Sequence, residues 1–118
     1  MANILIIEDD PKFIRLVEKI LTDHHVIGAP TALVGLDLAE DQPVDLVLLD
    51  MDLPDLDGKV VATTLRQRSG MNDVPIVAVT AQSDSIARRL ALAFGCDGFI
   101  PKPIDTREFP EQVAAYLK

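Results

Sequence analysis

A single cysteine, Cys96, is the only thiol in this chain of 118 residues. An internal disulfide is therefore excluded, and a reducing cytoplasm is the default compartment. Long apolar runs are also missing: none approaches the ~20 residues that a membrane-spanning helix needs. The apolar segment Asn3 to Ile7 is too short for the core of a signal peptide, and acids follow it at once. Basic residues are scarce, with 11 Lys and Arg against 19 Asp and Glu and a net charge of −8. An acidic domain does not attract a phosphate backbone, so direct nucleic-acid binding is disfavoured. There is no repeat and no low-complexity tract. What is present is apolar material, 48% of the chain, enough for a real core. The length suits one domain over residues 1–118 and leaves no room for a second.

Short apolar runs alternate with helical patterns. Asn3 to Ile7 reads as a buried strand. Phe13, Leu16, Val17, Ile20 and Leu21 then recur at helical spacing, with Pro11 near the helix start. His25 to Ala29 is a weaker strand. Leu33, Leu36 and Ala39 suggest a helix ending before Pro43. Leu46 to Leu49 is a buried strand running into Asp50, and Leu53 to Gly58 is a turn-rich loop. Val60, Val61, Thr64 and Leu65 supply the apolar face of a third helix. Ile76 to Val79 is a strand ending at Thr80. A helix from about Ser83 carries Ile86, Leu90 and Phe94 on one face and stops at Gly95. Gly98 to Ile100 is a short strand. Asp105 and Glu108 have capping-box spacing for a last helix with Val113, Tyr116 and Leu117. Pro110 predicts an irregular first turn there.

Wholly apolar strands separated by crossover helices imply a parallel sheet covered on both faces. Five such units are too few to close an eight-stranded barrel. The expected fold is α/β, a doubly wound five-stranded parallel sheet of order 2-1-3-4-5. Its ligand crevice would lie beyond the strand C-termini, between the first and third strands.

On that frame Glu8, Asp9 and Asp10 follow the first strand, Asp50 ends the third, Thr80 ends the fourth, and Lys102 follows the fifth. All can converge on one sheet edge. Carboxylates held close together repel one another, which raises the pKa of at least one of them unless a counter-charge is present. A hard divalent cation such as Mg²⁺ relieves this. Three carboxylates set against a divalent ion and one ammonium leave a near-neutral site able to accept a phosphoryl group. A carboxylate is a competent nucleophile toward phosphorus, and the two cations would stabilise the transferring charge. Taken singly, each residue has a plainer role. Asp10 is favoured as a helix cap beside Pro11. Asp55 and Asp57 suit turn chemistry. His24 and His25 are expected to be exposed at a helix end, and Cys96 to be a small packing residue. The joint placement at strand ends carries the functional reading.

These residues stand in stretches that resemble the receiver domain of two-component response regulators, the CheY-like family. The matching stretches are Ile6-Ile7-Glu8-Asp9-Asp10-Pro11, Asp45 through Asp50 to Pro54 and Gly58, Val79-Thr80-Ala81, and Phe99-Ile100-Pro101-Lys102-Pro103. The resemblance covers essentially the whole chain. It implies that Asp50 is the phosphoacceptor and Asp9 a direct metal ligand, with Glu8 acting through metal-bound water. Asp52 would offer its backbone carbonyl to the metal. The ion would be Mg²⁺, with Mn²⁺ as an alternative. Thr80 matches the hydroxyl that reorients toward the phosphoryl group, and Lys102 the lysine that pairs with it. Ala81 is the small residue leaving the phosphoryl pocket open. The bond before Pro103 is cis in the family. Phe99 matches the aromatic switch position, here without a tyrosine hydroxyl. The side chains of Asp52 and Gln82 match positions that tune dephosphorylation.

The implied partners are a sensor histidine kinase or histidine phosphotransfer protein, and a downstream protein bound through the face of the fourth helix and fifth strand. Neither nucleic acid nor membrane is expected as a direct partner. A free-standing regulator and a piece of a hybrid kinase or longer regulator both fit. Three rival readings fit the residues less well. A haloacid-dehalogenase-type phosphatase shares Asp50-Met51-Asp52 but needs its acidic pair later in the chain. A degenerate, chemically silent receiver would have lost a site residue. A flavodoxin-like carrier would want a phosphate loop where Glu8, Asp9 and Asp10 would repel it.

Overall fold

The computed structural model describes residues 1–68, 70–81 and 85–117. Five strands and five helices alternate: β1 (Asn3–Ile7), α1 (Pro11–Ile20), β2 (His25–Ala29), α2 (Ala32–Asp41), β3 (Leu46–Leu49), α3 (Gly58–Gln67), β4 (Ile76–Thr80), α4 (Ser85–Ala93), β5 (Gly98–Pro101) and α5 (Phe109–Tyr116). Every pairing is parallel and the order is β2-β1-β3-β4-β5, as expected.

Successive strand residues point to opposite faces, and the core divides accordingly. Leu5, Ile7, Val47, Leu49, Ile76 and Ala78 pack under α2 and α3 with Leu36, Val61 and Leu65. Ile4, Ile6, Leu46, Leu48, Val77 and Val79 pack under α1 and α5 with Val17, Phe109 and Val113. Apolar residues on both faces of β1, β3 and β4 thus serve two cores, the signature of a sheet covered on both sides.

Helix ends follow local chemistry. Asp10 caps α1, its carboxylate accepting from Lys12 N at 2.9 Å, with Pro11 in the first turn. Thr31 caps α2 and Asp57 caps α3 in the same way. Gly95, at φ +108°, closes the turn after α4 in a conformation that L side chains rarely adopt. The last helix begins at Phe109, after a turn over 106–108. Asp105 Oδ1 accepts from Arg107 N and Glu108 N, so the irregular first turn is found and the capping interaction closes that turn instead of a helix.

Several expectations need correction. The expected helix start at Ser83 lies outside the described residues, within which α4 spans Ser85–Ala93. Ile86, Leu90 and Phe94 do share a face, but it points to solvent, at 66%, 41% and 42% exposure; Ala91 is what α4 buries. Leu33 and Val60 are likewise exposed, and α2 and α3 turn Ala32, Leu36, Val61, Ala62 and Leu65 inward. In each helix a buried residue stands next in sequence to an exposed apolar one: Ala32 beside Leu33, Val61 beside Val60, Ala91 beside Leu90. His24 is half-buried, and its Nδ1 accepts from Ala2 N at 3.0 Å, so only His25 is exposed. Cys96 is buried as expected; burial pushes its thiol up to about 11, helped by the charge of Asp97.

At the end of the sheet remote from the strand C-termini, Arg66 of α3 donates to the carbonyls of Met71, Asn72, Val74 and Gly95 and to the Asp97 carboxylate. Among the described residues, no buried side-chain nitrogen or oxygen lacks a partner, and no helix is long and apolar enough to cross a membrane.

Candidate functional site

Ile7 and Leu49 are register partners in β1 and β3, so the residues that follow leave the sheet side by side at the point where the winding reverses. Asp50 N donates to Ile7 O at 3.0 Å, and Glu8 N donates to Ala29 O at 3.0 Å. These bonds extend the parallel ladder by one residue and fix both backbones. Glu8 and Asp50 are buried; Asp9 is exposed. One carboxylate oxygen from each of Glu8, Asp9 and Asp50 lies within 4.8 Å of the others.

Lys102 reaches in from beyond β5. Its backbone N donates to Thr80 O at 2.9 Å, and the Lys102–Pro103 bond is cis. Its ammonium donates to Glu8 Oε1 and stands 3.8 Å from Asp50 Oδ2. The Phe13 ring lies under it, 4.4 Å from ammonium to centroid, a cation–π contact at the wall of the site. Glu8 Oε2 also accepts from Asp10 N at 3.1 Å, and Asp50 Oδ1 accepts from Asp52 N at 3.0 Å. Burial pushes the Glu8 carboxyl up to about 7, against the pull of the Lys102 and Asp10 hydrogen bonds and with the charge of Asp50 adding to the rise.

All the close donors are carboxylate oxygens, the set a hard divalent cation takes, and two of the three come from fixed backbone positions. The residues present therefore fit such an ion.

The remaining candidates lie around this core. Thr80 is buried, and its hydroxyl donates to Asp52 Oδ2 at 3.3 Å. Asp52, Thr80 and Phe99 line one cavity of about 370 Å³, with Ala87 and Leu90. The half-buried Phe99 ring has the Arg88 guanidinium 5.3 Å from its centroid. Ala81 and Pro103 line a separate apolar hollow with Phe13, Leu16, Lys102 and Ile104. Gln82 lies outside the described residues.

Sequence reasoning missed two roles. Phe13 was read as part of a helix face, and nothing in its spacing signals a seat for Lys102. Asp55 was assigned to turn chemistry. Its carboxylate instead accepts from Ala32 N at 3.0 Å and Leu33 N at 3.1 Å, tying the loop after β3 to the start of α2. Those bonds hold its carboxyl below the usual range.

A doubly wound parallel sheet with an acidic, cation-ready cluster and a lysine at its switch point defines an open α/β protein with its site in the crevice beyond the strand C-termini. Comparison with known proteins makes the class specific. The chain belongs to the response regulator receiver domain family, whose model matches residues 4–114. It is 34% identical over 120 residues to the response regulator ArlR of Staphylococcus epidermidis, covering 100% of this chain and 53% of that protein. It is 36% identical over 117 residues to the TorCAD operon transcriptional regulatory protein TorR of Escherichia coli O157:H7, covering 98% of this chain and 50% of that protein. The chain thus spans about half the length of these curated relatives. Among solved structures, a CheY-like receiver domain protein from Methanospirillum hungatei superposes with a TM-score of 0.91 at 27% identity, over 99% of this chain and 94% of that one. The chain is therefore a two-component receiver domain, a signalling domain and not an enzyme in the ordinary sense.

Proposed function

We propose that residues 1–118 act as one phosphoacceptor switch, with Asp50 as the acceptor. The single observation behind this is the Asp50 carboxylate itself: buried, beside the carboxylates of Glu8 and Asp9, and with the Lys102 ammonium 3.8 Å from Oδ2. A carboxylate oxygen of Asp50 attacks the phosphorus of a phosphohistidine on a sensor kinase or phosphotransfer protein. The new O–P bond forms as the P–N bond breaks, and the imidazole leaves with the electron pair and takes up a proton. Slow hydrolysis reverses the state: water attacks phosphorus and Asp50 departs as carboxylate.

Asp9 and Asp50 would hold Mg²⁺ (or Mn²⁺) directly, Glu8 through bound water and Asp52 through its carbonyl. The ion would supply charge neutralisation on the transferring phosphoryl oxygens. Lys102 has only a short path from Glu8 to a phosphoryl oxygen. Thr80 turns its hydroxyl to another oxygen, and Ala81 and Pro103 bound the space beside Lys102. The Phe99 ring follows Thr80 inward and remodels the α4–β5 face, where Ile86 and Leu90 offer an apolar surface to a downstream protein. With a net charge of −8, these residues leave any direct nucleic-acid contact to other parts of the pathway, and the setting is cytoplasmic.

Treatment with a small phosphodonor and Mg²⁺, followed by mass spectrometry, tests the reading. One acid-stable, base-labile phosphoryl group on Asp50 is expected, absent from Asp50→Asn and from wild type without divalent ion. Equal labelling of Asp50→Asn would remove the assignment.

A further inference from the structure

The Lys102 ammonium meets two carboxylates and a ring. It donates to Glu8 Oε1, stands 3.8 Å from Asp50 Oδ2, and lies over the Phe13 ring, 4.4 Å from its centroid. The carboxylate contacts follow from the acidic cluster; the ring is the neighbour that no motif assigns. An aromatic face attracts a cation at this range, and more strongly where water is thin. The lysine side chain is 21% exposed, so the contact is made largely out of solvent. The same ring, with Pro103 and Ile104, walls the apolar hollow that Lys102 borders, which suits the lysine's methylene stem.

Phe13 is itself held in place. It stands in the first turn of α1, its N donating to Asp10 O at 3.1 Å, and Asp10 caps that turn through Lys12 N. Asp10 N in turn donates to Glu8 Oε2 at 3.1 Å. One residue thus ties the helix that carries the ring to the carboxylate that pairs with the lysine. A hydrogen bond to a carboxylate fixes direction, whereas a ring face attracts charge over its whole area. Lys102 can therefore exchange Glu8 for another oxygen nearby while its charge stays on the ring.

We propose that Phe13 is a positioning residue whose ring keeps the Lys102 ammonium at the mouth of the site, so that it passes from Glu8 to a phosphoryl oxygen on Asp50 without going out into water. The proposal rests on the phosphoacceptor reading and adds to it the residue that readies the lysine. Without the ring the ammonium would spend part of its time in solvent, and a phosphoryl group would have to draw it back.

Two measurements test this. In metal-free protein, the ε-methylene protons of Lys102 report the ring through its magnetic shielding. They are expected upfield of a free lysine in wild type and back in the ordinary range in Phe13→Leu. Unshifted protons in wild type overturn the proposal. Beryllofluoride with Mg²⁺ then serves as a phosphoryl mimic. Phe13→Leu should weaken its binding about fivefold, the size of a partly desolvated cation–π contact. Replacing Phe13 by mono-, di- and trifluorinated phenylalanine keeps the shape of the ring and drains its negative face, so affinity should fall stepwise along the series. In a Lys102→Ala background both losses should largely vanish. An affinity flat across the fluorinated series, or a loss that persists without Lys102, means that Phe13 acts through packing alone and overturns the proposal. Failure of wild type to bind beryllofluoride would instead count against the phosphoacceptor reading, with the Lys102 proton shifts then deciding the role of Phe13.

Discussion

Glu8 carries the most unusual chemistry of any single residue in the chain. It is buried and paired with Lys102, and its carboxyl is raised to about 7. The ordinary carboxylate value is near 4.5, so between these limits the folded metal-free protein holds a proton that the unfolded chain has lost. The sign follows from linkage: this group's contribution to metal-free stability is present at low pH and declines as pH rises toward and through about 7. Divalent binding runs the other way, because the ion requires the ionised carboxylate. Mg²⁺ affinity, followed by calorimetry, should therefore weaken as pH falls below about 7, by at most about tenfold per unit for one displaced proton, and level off above it. Glu8→Gln should remove the pH dependence in that window. The convergence of Glu8, Asp9, Asp50, Thr80 and Lys102 on one end of the sheet was legible in the sequence because each ends or follows an apolar strand. Phe13 and Asp55 were not, because their partners lie in other elements at no characteristic spacing.

Gly58 shows how an element is fitted to the site. It opens α3, and a Cβ placed on it would stand 2.6 Å from Met51 Cα and 3.0 Å from Met51 O. Those are backbone atoms of the residue that follows Asp50, so they cannot move aside without shifting the acceptor loop. Gly58→Ala should lower stability by about 1–3 kcal/mol in a urea titration, as overpacking does, and weaken Mg²⁺ binding with it. Sequence reading took this glycine as turn punctuation, since a close approach to backbone leaves no trace in composition. Helix existence was easy to read, and helix orientation was not. Ile86, Leu90 and Phe94 have the spacing of a buried stripe, yet α4 buries Ala91, which stands outside that stripe. Periodicity states that residues share a face and is silent on which side of the helix is covered.

For the molecule as a whole, both cores follow from the apolar runs of the central strands, and the crevice follows from the strand order. The α4 stripe is one of the apolar surfaces the fold leaves exposed, alongside Leu33 and Val60. Ile86 is 66% exposed and contributes little to folding, so Ile86→Ser should move the urea midpoint by less than the equivalent of about 0.5 kcal/mol. A marked loss of stability would mean that the stripe is packed against the fold and is not available to a downstream protein. The acidity visible in the composition resolves into separate places in three dimensions: a cluster able to hold a cation at Glu8, Asp9 and Asp50, and helix capping at Asp10, Asp55 and Asp57. Charge totals could not separate these uses.

Arg66 joins three stretches of chain at the far end of the sheet from Asp50, through carbonyls on both sides of β4 and the Asp97 carboxylate. Such a rivet gives the fold a fixed handle. Side chains and loops at the opposite rim can then change place over strands that keep their spacing at both ends, as keys move over a fixed frame.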